Sequence, residues 1–119
     1  MSSSANAKKL EAPKKRKNFR SSFHDLDLKE WRNYPELITD SLWQLGGRSR
    51  SSVHKVDYHG NFVPQIPEQM LRRFTKKNDV VLDLFSGMAT SLIECRRLGR
   101  HGLGVELQES ICRDSRERL

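Results

Sequence analysis

Between Val80 and Leu107 the apolar residues change period twice. Val80-Val81-Leu82 is a short apolar run closed by an acid, Asp83, the pattern of a parallel strand buried on both faces. Ser86-Gly87 then turns the chain, and Leu92, Ile93, Cys95 and Leu98 recur at helical spacing. Gly99 stands where a helix C-terminus favours it. Gly102-Leu103-Gly104-Val105-Glu106-Leu107 is a second short apolar stretch that ends on an acid. Strand, small-residue turn, helix, strand, acid predicts the first half of a doubly wound α/β sheet.

Upstream the pattern is helical. Asp25 or Asp27 caps a first short helix with Leu28 and Trp31 on one face. Pro35 starts a second helix, with Leu37, Ile38, Leu42, Trp43 and Leu45 apolar and Gly46-Gly47 ending it. Both tryptophans read as anchors to a core rather than as platforms for a base. Pro67 suits the first turn of a further helix. That helix packs Met70, Leu71 and Phe74 beside the first strand and leaves Arg72, Arg73, Lys76 and Lys77 outside. Lys76-Lys77-Asn78-Asp79 is the connecting turn, and Ser110 caps a last helix carrying Ile111, Cys112 and Leu119.

Composition changes this picture in one place. The 119 residues suffice for one small domain, and the formal charge is +7. Residues 8–20 hold seven basic side chains against Glu11 alone, so the basicity belongs to a tail and the rest is near neutral. Residues 1–21, rich in Ser, Ala, Lys and Pro, predict a disordered basic tail. Lys14-Lys15-Arg16-Lys17 reads as a solvated tail, a phosphate-binding arm or an import signal. No apolar run approaches the ~20 residues of a membrane span, and the polar N-terminus is unlike a secretory signal. Cys95 and Cys112 lack metal-site spacing, so no metal is expected and a cytoplasmic location fits.

The candidate chemistry clusters at the turn. Small residues at 86, 87 and 89 let a ligand approach the backbone closely. The helix N-terminus behind them favours an anionic group. Glu106 lies 23 positions after Asp83, about the distance at which such folds place an acid on ribose hydroxyls. Elsewhere His24, His54, His59 and His101 share no catalytic spacing, and no catalytic residue is assigned. The Ser- and Arg-rich stretch 48–57 reads as a solvated loop, a lid or a phosphate contact.

These residues resemble a specific family. Asp83-x-Phe85-x-Gly87-x-Ala89-Thr90, followed by Glu94, Leu98-Gly99-Arg100 and Gly104-Val105-Glu106, looks like the S-adenosylmethionine site of DNA amino-methyltransferases. His59-Gly60-Asn61-Phe62-Val63-Pro64-Gln65-Ile66-Pro67 resembles the segment that precedes this site in many members. The resemblance covers roughly residues 58–110 and implies a partial Rossmann-like class I methyltransferase sheet, its first two parallel strands plus helices, incomplete as a stand-alone domain. It implies a helical extension and polar loop over 22–57 and the cofactor half over 58–119. The implied S-adenosyl-L-methionine site draws on His59, Phe62, Pro64, Asp83, Leu84, Phe85, Ser86, Gly87, Thr90, Glu106 and Leu107. In it Glu106 takes the ribose hydroxyls and Leu107 flanks the adenine. Ala89 replaces the second glycine of the family's loop and is strained if that position needs φ > 0.

The family's Asp/Asn-Pro-Pro-aromatic tetrapeptide, which holds the flipped base, has no counterpart here, since none of Pro13, Pro35, Pro64 and Pro67 are adjacent. The leading expectation is therefore the cofactor-binding part of a DNA methyltransferase, either a fragment or the small subunit of a split enzyme. Its partners are DNA and a second chain, or a missing C-terminal segment, that carries the catalytic motif. The alternative is a non-catalytic S-adenosylmethionine-binding or regulatory subunit. A nicotinamide-dependent dehydrogenase half fits worst, because Gly-x-Gly-x-x-Gly is absent and Asp83 would repel a pyrophosphate.

Overall fold

The strand-helix-strand pattern forms as its spacing predicts. In the computed structural model, residues 23–47 and 63–119 are described. A 3₁₀ helix, Leu28–Asn33, comes first. It is followed by α1 (Gln65–Phe74), β1 (Val80–Asp83), α2 (Thr90–Leu98), β2 (His101–Gly104) and α3 (Glu109–Arg118). The two strands pair in parallel from Val80↔His101 to Asp83↔Gly104. Gly99 ends α2 at φ 80°, the left-handed cap its position predicts.

Helix α2 lies unusually close to β2. A Cβ on Gly102 would stand 2.8 Å from Leu92 Cδ2, and one on Gly104 would stand 2.6 Å from Leu92 Cδ1. Glycine at both positions is what lets the helix settle onto the strand. Leu92, Ile93, Cys95 and Leu98 are all buried, and Cys95 and Leu98 meet Leu71 of α1, with Val81 and Phe23 at the margin. Each such leucine stabilises the fold by about 1.5–3 kcal/mol.

The structure corrects several expectations. β1 is not buried on both faces: Val80 and Leu82 are 65% and 59% exposed, and Leu103 beside them is 55% exposed. The reason is that α1 packs chiefly against α2, and among the described residues no element packs on the opposite face of the sheet. On α1, Leu71 points inward, but Met70 and Phe74 are exposed and Arg72 is buried. Arg72 is covered because its guanidinium pairs with Glu36 and lies 5.9 Å from the Phe23 ring. Helix α3 is entered from Gln108, so Ser110 sits inside the first turn rather than at its cap.

The extension over 23–47 is less helical than its pattern suggests. Asp27 does cap the 3₁₀ helix, accepting the Lys29 N–H at 2.9 Å. The helix expected from Pro35 to Leu45 is absent; these residues make turns and bends. Three of their backbone groups bond to α1 side chains instead: Gln69 donates to Glu36 O at 2.9 Å and accepts from the Ile38 N–H at 3.1 Å, while Arg73 donates to Ile38 O. A helix through Glu36 and Ile38 would have to give these bonds up. Its own backbone N–H, and then Arg72, hold the Glu36 carboxyl below the usual range. Neither tryptophan anchors a core: no residue of 23–47 is buried, and Arg32 and Arg73 stack over the Trp31 and Trp43 rings at 5.0 and 4.9 Å.

At its start the extension is tied by a buried cation. Arg100 pairs with Asp25 at 2.9 Å and donates to Thr75 Oγ1, Thr75 O and Leu98 O at 3.0, 2.7 and 2.8 Å. Asp25 also accepts the Lys77 N–H at 3.0 Å. One charge thus joins the extension, the α1–β1 turn and the end of α2. The basic tail, the loop over 48–57 and the site candidates His59 and Phe62 lie outside the described residues.

Candidate functional site

Parallel strands end side by side, so both acids read from the sequence arrive at the same edge of the sheet. Asp83 is the last residue of β1, and Glu106 stands two residues beyond β2. The Val105 N–H donates to Asp83 O at 2.9 Å and carries the pairing one step past the strand. Asp83 Oδ1 accepts the Phe85 N–H at 3.0 Å, which starts the turn toward α2.

That turn is stitched to the end of β2. Ser86 donates its N–H and its Oγ–H to Val105 O at 3.0 and 3.2 Å. The Gly87 N–H donates to Glu106 Oε2 at 3.0 Å, and the Gln108 N–H donates to Glu106 Oε1 at 2.9 Å. Gly104 makes room for this, because a Cβ there would stand 2.8 Å from both Ser86 Cβ and Oγ. Gly87 and Ala89 adopt φ 47° and 64°, and Ala89 is fully buried at the N-cap of α2. The position that departs from the family glycine does need a left-handed backbone, so its methyl group is strained there.

Asp83, Ser86, Gly87 and Glu106 therefore converge on one ledge. Thr90 opens α2 and is buried; Leu84 is exposed in the turn, and Pro64 is buried at the N-cap of α1. Phe85 and Leu107 stand out into solvent, 90% and 97% exposed. The ledge is open. Hollows of about 210 and 240 Å³ lie instead between the extension and α1, lined in part by Leu26, Leu28 and Arg73, away from both acids. The convergence of two carboxylates and a close-approach backbone is the stronger sign of a site than an empty hollow. Among the described residues no cluster of metal-ligating side chains occurs, and no helix is long and apolar enough to cross a membrane.

The sequence profile of a DNA methylase family matches residues 3–117. The chain belongs to that DNA methylase family, whose members are amino-methyltransferases. It is 31% identical over 110 residues to the type II methyltransferase M2.DpnII of Streptococcus pneumoniae, a match that takes in 87% of this chain and 39% of that protein. It is 33% identical over 61 residues to the type II methyltransferase M.MjaII of Methanocaldococcus jannaschii, covering 50% of this chain and 12% of the relative. A solved putative DNA modification methylase of Thermus thermophilus, complexed with S-adenosyl-L-methionine, is 42% identical with a TM-score of 0.47. That match covers 48% of this chain and 24% of the other. The chain thus spans well under half the length of these relatives.

Within the DNA methylase chain, two features were missed from the sequence, and only one of them carried a signal. Glycines at alternate positions 102 and 104 of one strand point to close approach of another element, which is the signal for the α2 contact. The bond from Gly87 to Glu106 has none, because it depends on how the two strands register.

Proposed function

We propose that this chain is the cofactor-binding portion of a site-specific DNA methyltransferase that moves a methyl group from S-adenosyl-L-methionine to an exocyclic base amine. The observation that carries the reading is the pair of acids, Asp83 and Glu106, at the ends of adjacent parallel strands with the glycine turn between them. The residues fit the cofactor. Asp83 offers an anion for its ammonium group, Glu106 offers acceptors for the ribose diol, and the Gly87 turn admits close approach of the rest.

When bound, the cofactor supplies an electrophilic methyl group on its sulfonium. In this reading Phe62, Pro64, Asp83, Phe85 and Gly87 surround the methionine and the loop, and His59, Leu84, Ser86 and Thr90 complete the cofactor site. Glu106 accepts the ribose hydroxyls and Leu107 flanks the adenine. The chain's task is to bind and orient, so that the base nitrogen meets the methyl group in line. The base-holding tetrapeptide comes from further polypeptide, either a downstream segment or a second chain. The bare apolar face of the sheet supports this, being the kind of surface a further layer covers. DNA is the other partner, and the enzyme works in the cytoplasm. The domain division follows: a basic tail over 1–21, an extension and loop over 22–57, and the cofactor half over 58–119.

The test is calorimetric titration of the natural full-length product with S-adenosyl-L-methionine. Wild type binds, and Asp83→Ala weakens binding by about 1.5–3 kcal/mol through the lost charged contact. An Asp83→Ala variant that binds as well as wild type would remove the ledge from the cofactor site. A second reading, a non-catalytic cofactor-binding or regulatory subunit, is favoured by the absent tetrapeptide and by the strained Ala89. Methyl transfer to DNA by the full assembly, lost on Asp83→Ala, rejects it.

A further inference from the structure

We propose that Glu106 is also a positioning residue, a latch whose carboxylate holds the turn between β1 and α2 in its binding shape before any ligand arrives. The ligand arm of the argument rests on the cofactor reading above; the structural arm does not.

The turn is expensive to hold. Gly87 and Ala89 both have positive φ, 47° and 64°, and at Ala89 the side chain makes that conformation unfavourable. A segment with this backbone keeps its shape only if its surroundings fix it. Two consecutive N–H groups do so: Ser86 donates to Val105 O at 3.0 Å and Gly87 to Glu106 Oε2 at 3.0 Å. Their acceptors are also consecutive, so the turn is pinned rung by rung to the extension of β2. The second rung ends on a carboxylate, which makes it the stronger kind of hydrogen bond. Glu106 is itself oriented, because its Oε1 accepts the Gln108 N–H at 2.9 Å.

The latch and the ligand role are compatible. Each carboxylate oxygen has two lone pairs, and the two N–H groups occupy one on each. One remains on each oxygen for a vicinal diol, so hydroxyls can bind without releasing the turn. Loss of Glu106 therefore acts twice, once on the diol and once on the turn that receives the rest of the ligand. An acid that served only the ribose would act once.

The test reads both arms on the natural full-length protein. Residue-resolved amide exchange without ligand comes first: in Glu106→Ala the Gly87 amide exchanges at least about tenfold faster, while the amides of Leu92 to Leu98 keep their protection. Glu106→Gln, with a single acceptor oxygen, gives an intermediate rate and reads the latch should the alanine variant unfold. The second measurement is affinity for a 2′,3′-dideoxy analogue of S-adenosylmethionine, which has no diol for Glu106 to hold. The latch predicts that Glu106→Ala still weakens this analogue about tenfold. Unchanged Gly87 exchange, or an unchanged affinity for the analogue, overturns the proposal. If wild type binds no S-adenosylmethionine, the cofactor reading falls and the exchange measurement alone decides the latch.

Discussion

The two faces of the sheet are built from the same two strands and meet opposite fates. On one, Gly102 and Gly104 admit α2 so closely that Leu92 lies within 2.8 Å of where a Cβ would stand, and Cys95 and Leu98 are fully buried beneath it. On the other, Val80, Leu82, Leu103 and Val105 are each at least half exposed. The strand sequence is apolar on both sides, as parallel strands are when layers cover both. One layer is present among the described residues. The lesson is that local composition records the layers a strand is made for, and the contacts record those it has.

The largest effect should come from opening the covered face. Leu98 is fully buried and meets both Leu71 and Cys95. Leu98→Ala is expected to cost about 2–5 kcal/mol, seen as a lower urea midpoint with the slope kept. A loss under about 1 kcal/mol would mean that α2 is not packed as described.

Cys95 reports on the same face through its proton. Burial pushes its thiol up to about 11 from an ordinary value near 9. The folded state therefore holds this proton more tightly than the unfolded chain does. The stability it contributes is whole below about pH 9 and is lost as pH rises toward 11, a loss of order 2–3 kcal/mol. Serine at this position should flatten that part of the stability profile. In alkylation at pH 8.5, Cys112, which is only half-buried, reacts first. Equal rates for the two thiols would show that the cover over Cys95 opens readily.

What was legible in the sequence follows the same division. α2, its Gly99 cap and both strands were readable because each rests on local periodicity and a backbone that only certain residues adopt. Asp83 and Glu106 were readable as a pair because parallel strands deliver their C-terminal ends to one edge. The extension was not. Leu37, Ile38, Leu42, Trp43 and Leu45 have helical spacing, yet Gln69, Arg72 and Arg73 of α1 capture the backbone and the Glu36 carboxylate from 31 to 36 residues away. The same distance hid the burial of Arg72, since a guanidinium reads as surface until its carboxylate partner is placed. The latch from Gly87 to Glu106 was invisible for a related reason: it joins a side chain to a backbone across 19 positions, and only the strand register decides whether they meet.

A smaller change should improve the edge of the covered face. Ala89 is fully buried at φ 64°, where glycine is at ease. Ala89→Gly relieves left-handed strain of about 1–2 kcal/mol but adds freedom to the unfolded chain worth about 0.5–1 kcal/mol. A net gain of about 0.5–1 kcal/mol in thermal or urea unfolding is expected. A net loss would show that packing around the methyl group outweighs the backbone strain.

The smallest effect is expected on the bare face, and it tests the comparison most directly. Leu82 is 59% exposed, so Leu82→Ser removes little buried area. In a protein whose open face stays open, the change should fall within about 0.5 kcal/mol and reduce self-association at high concentration. If a further layer of the methyltransferase covers that face in the natural full-length product, the same hydroxyl becomes a buried polar group. The cost then rises to about 2 kcal/mol or more. Stability of this one variant, measured in the full-length product, therefore separates a finished two-stranded unit from one half of a larger sheet. A null result there would set aside the covering layer and leave the assignment of the ledge untouched, because Asp83, Gly87 and Glu106 lie at the strand ends.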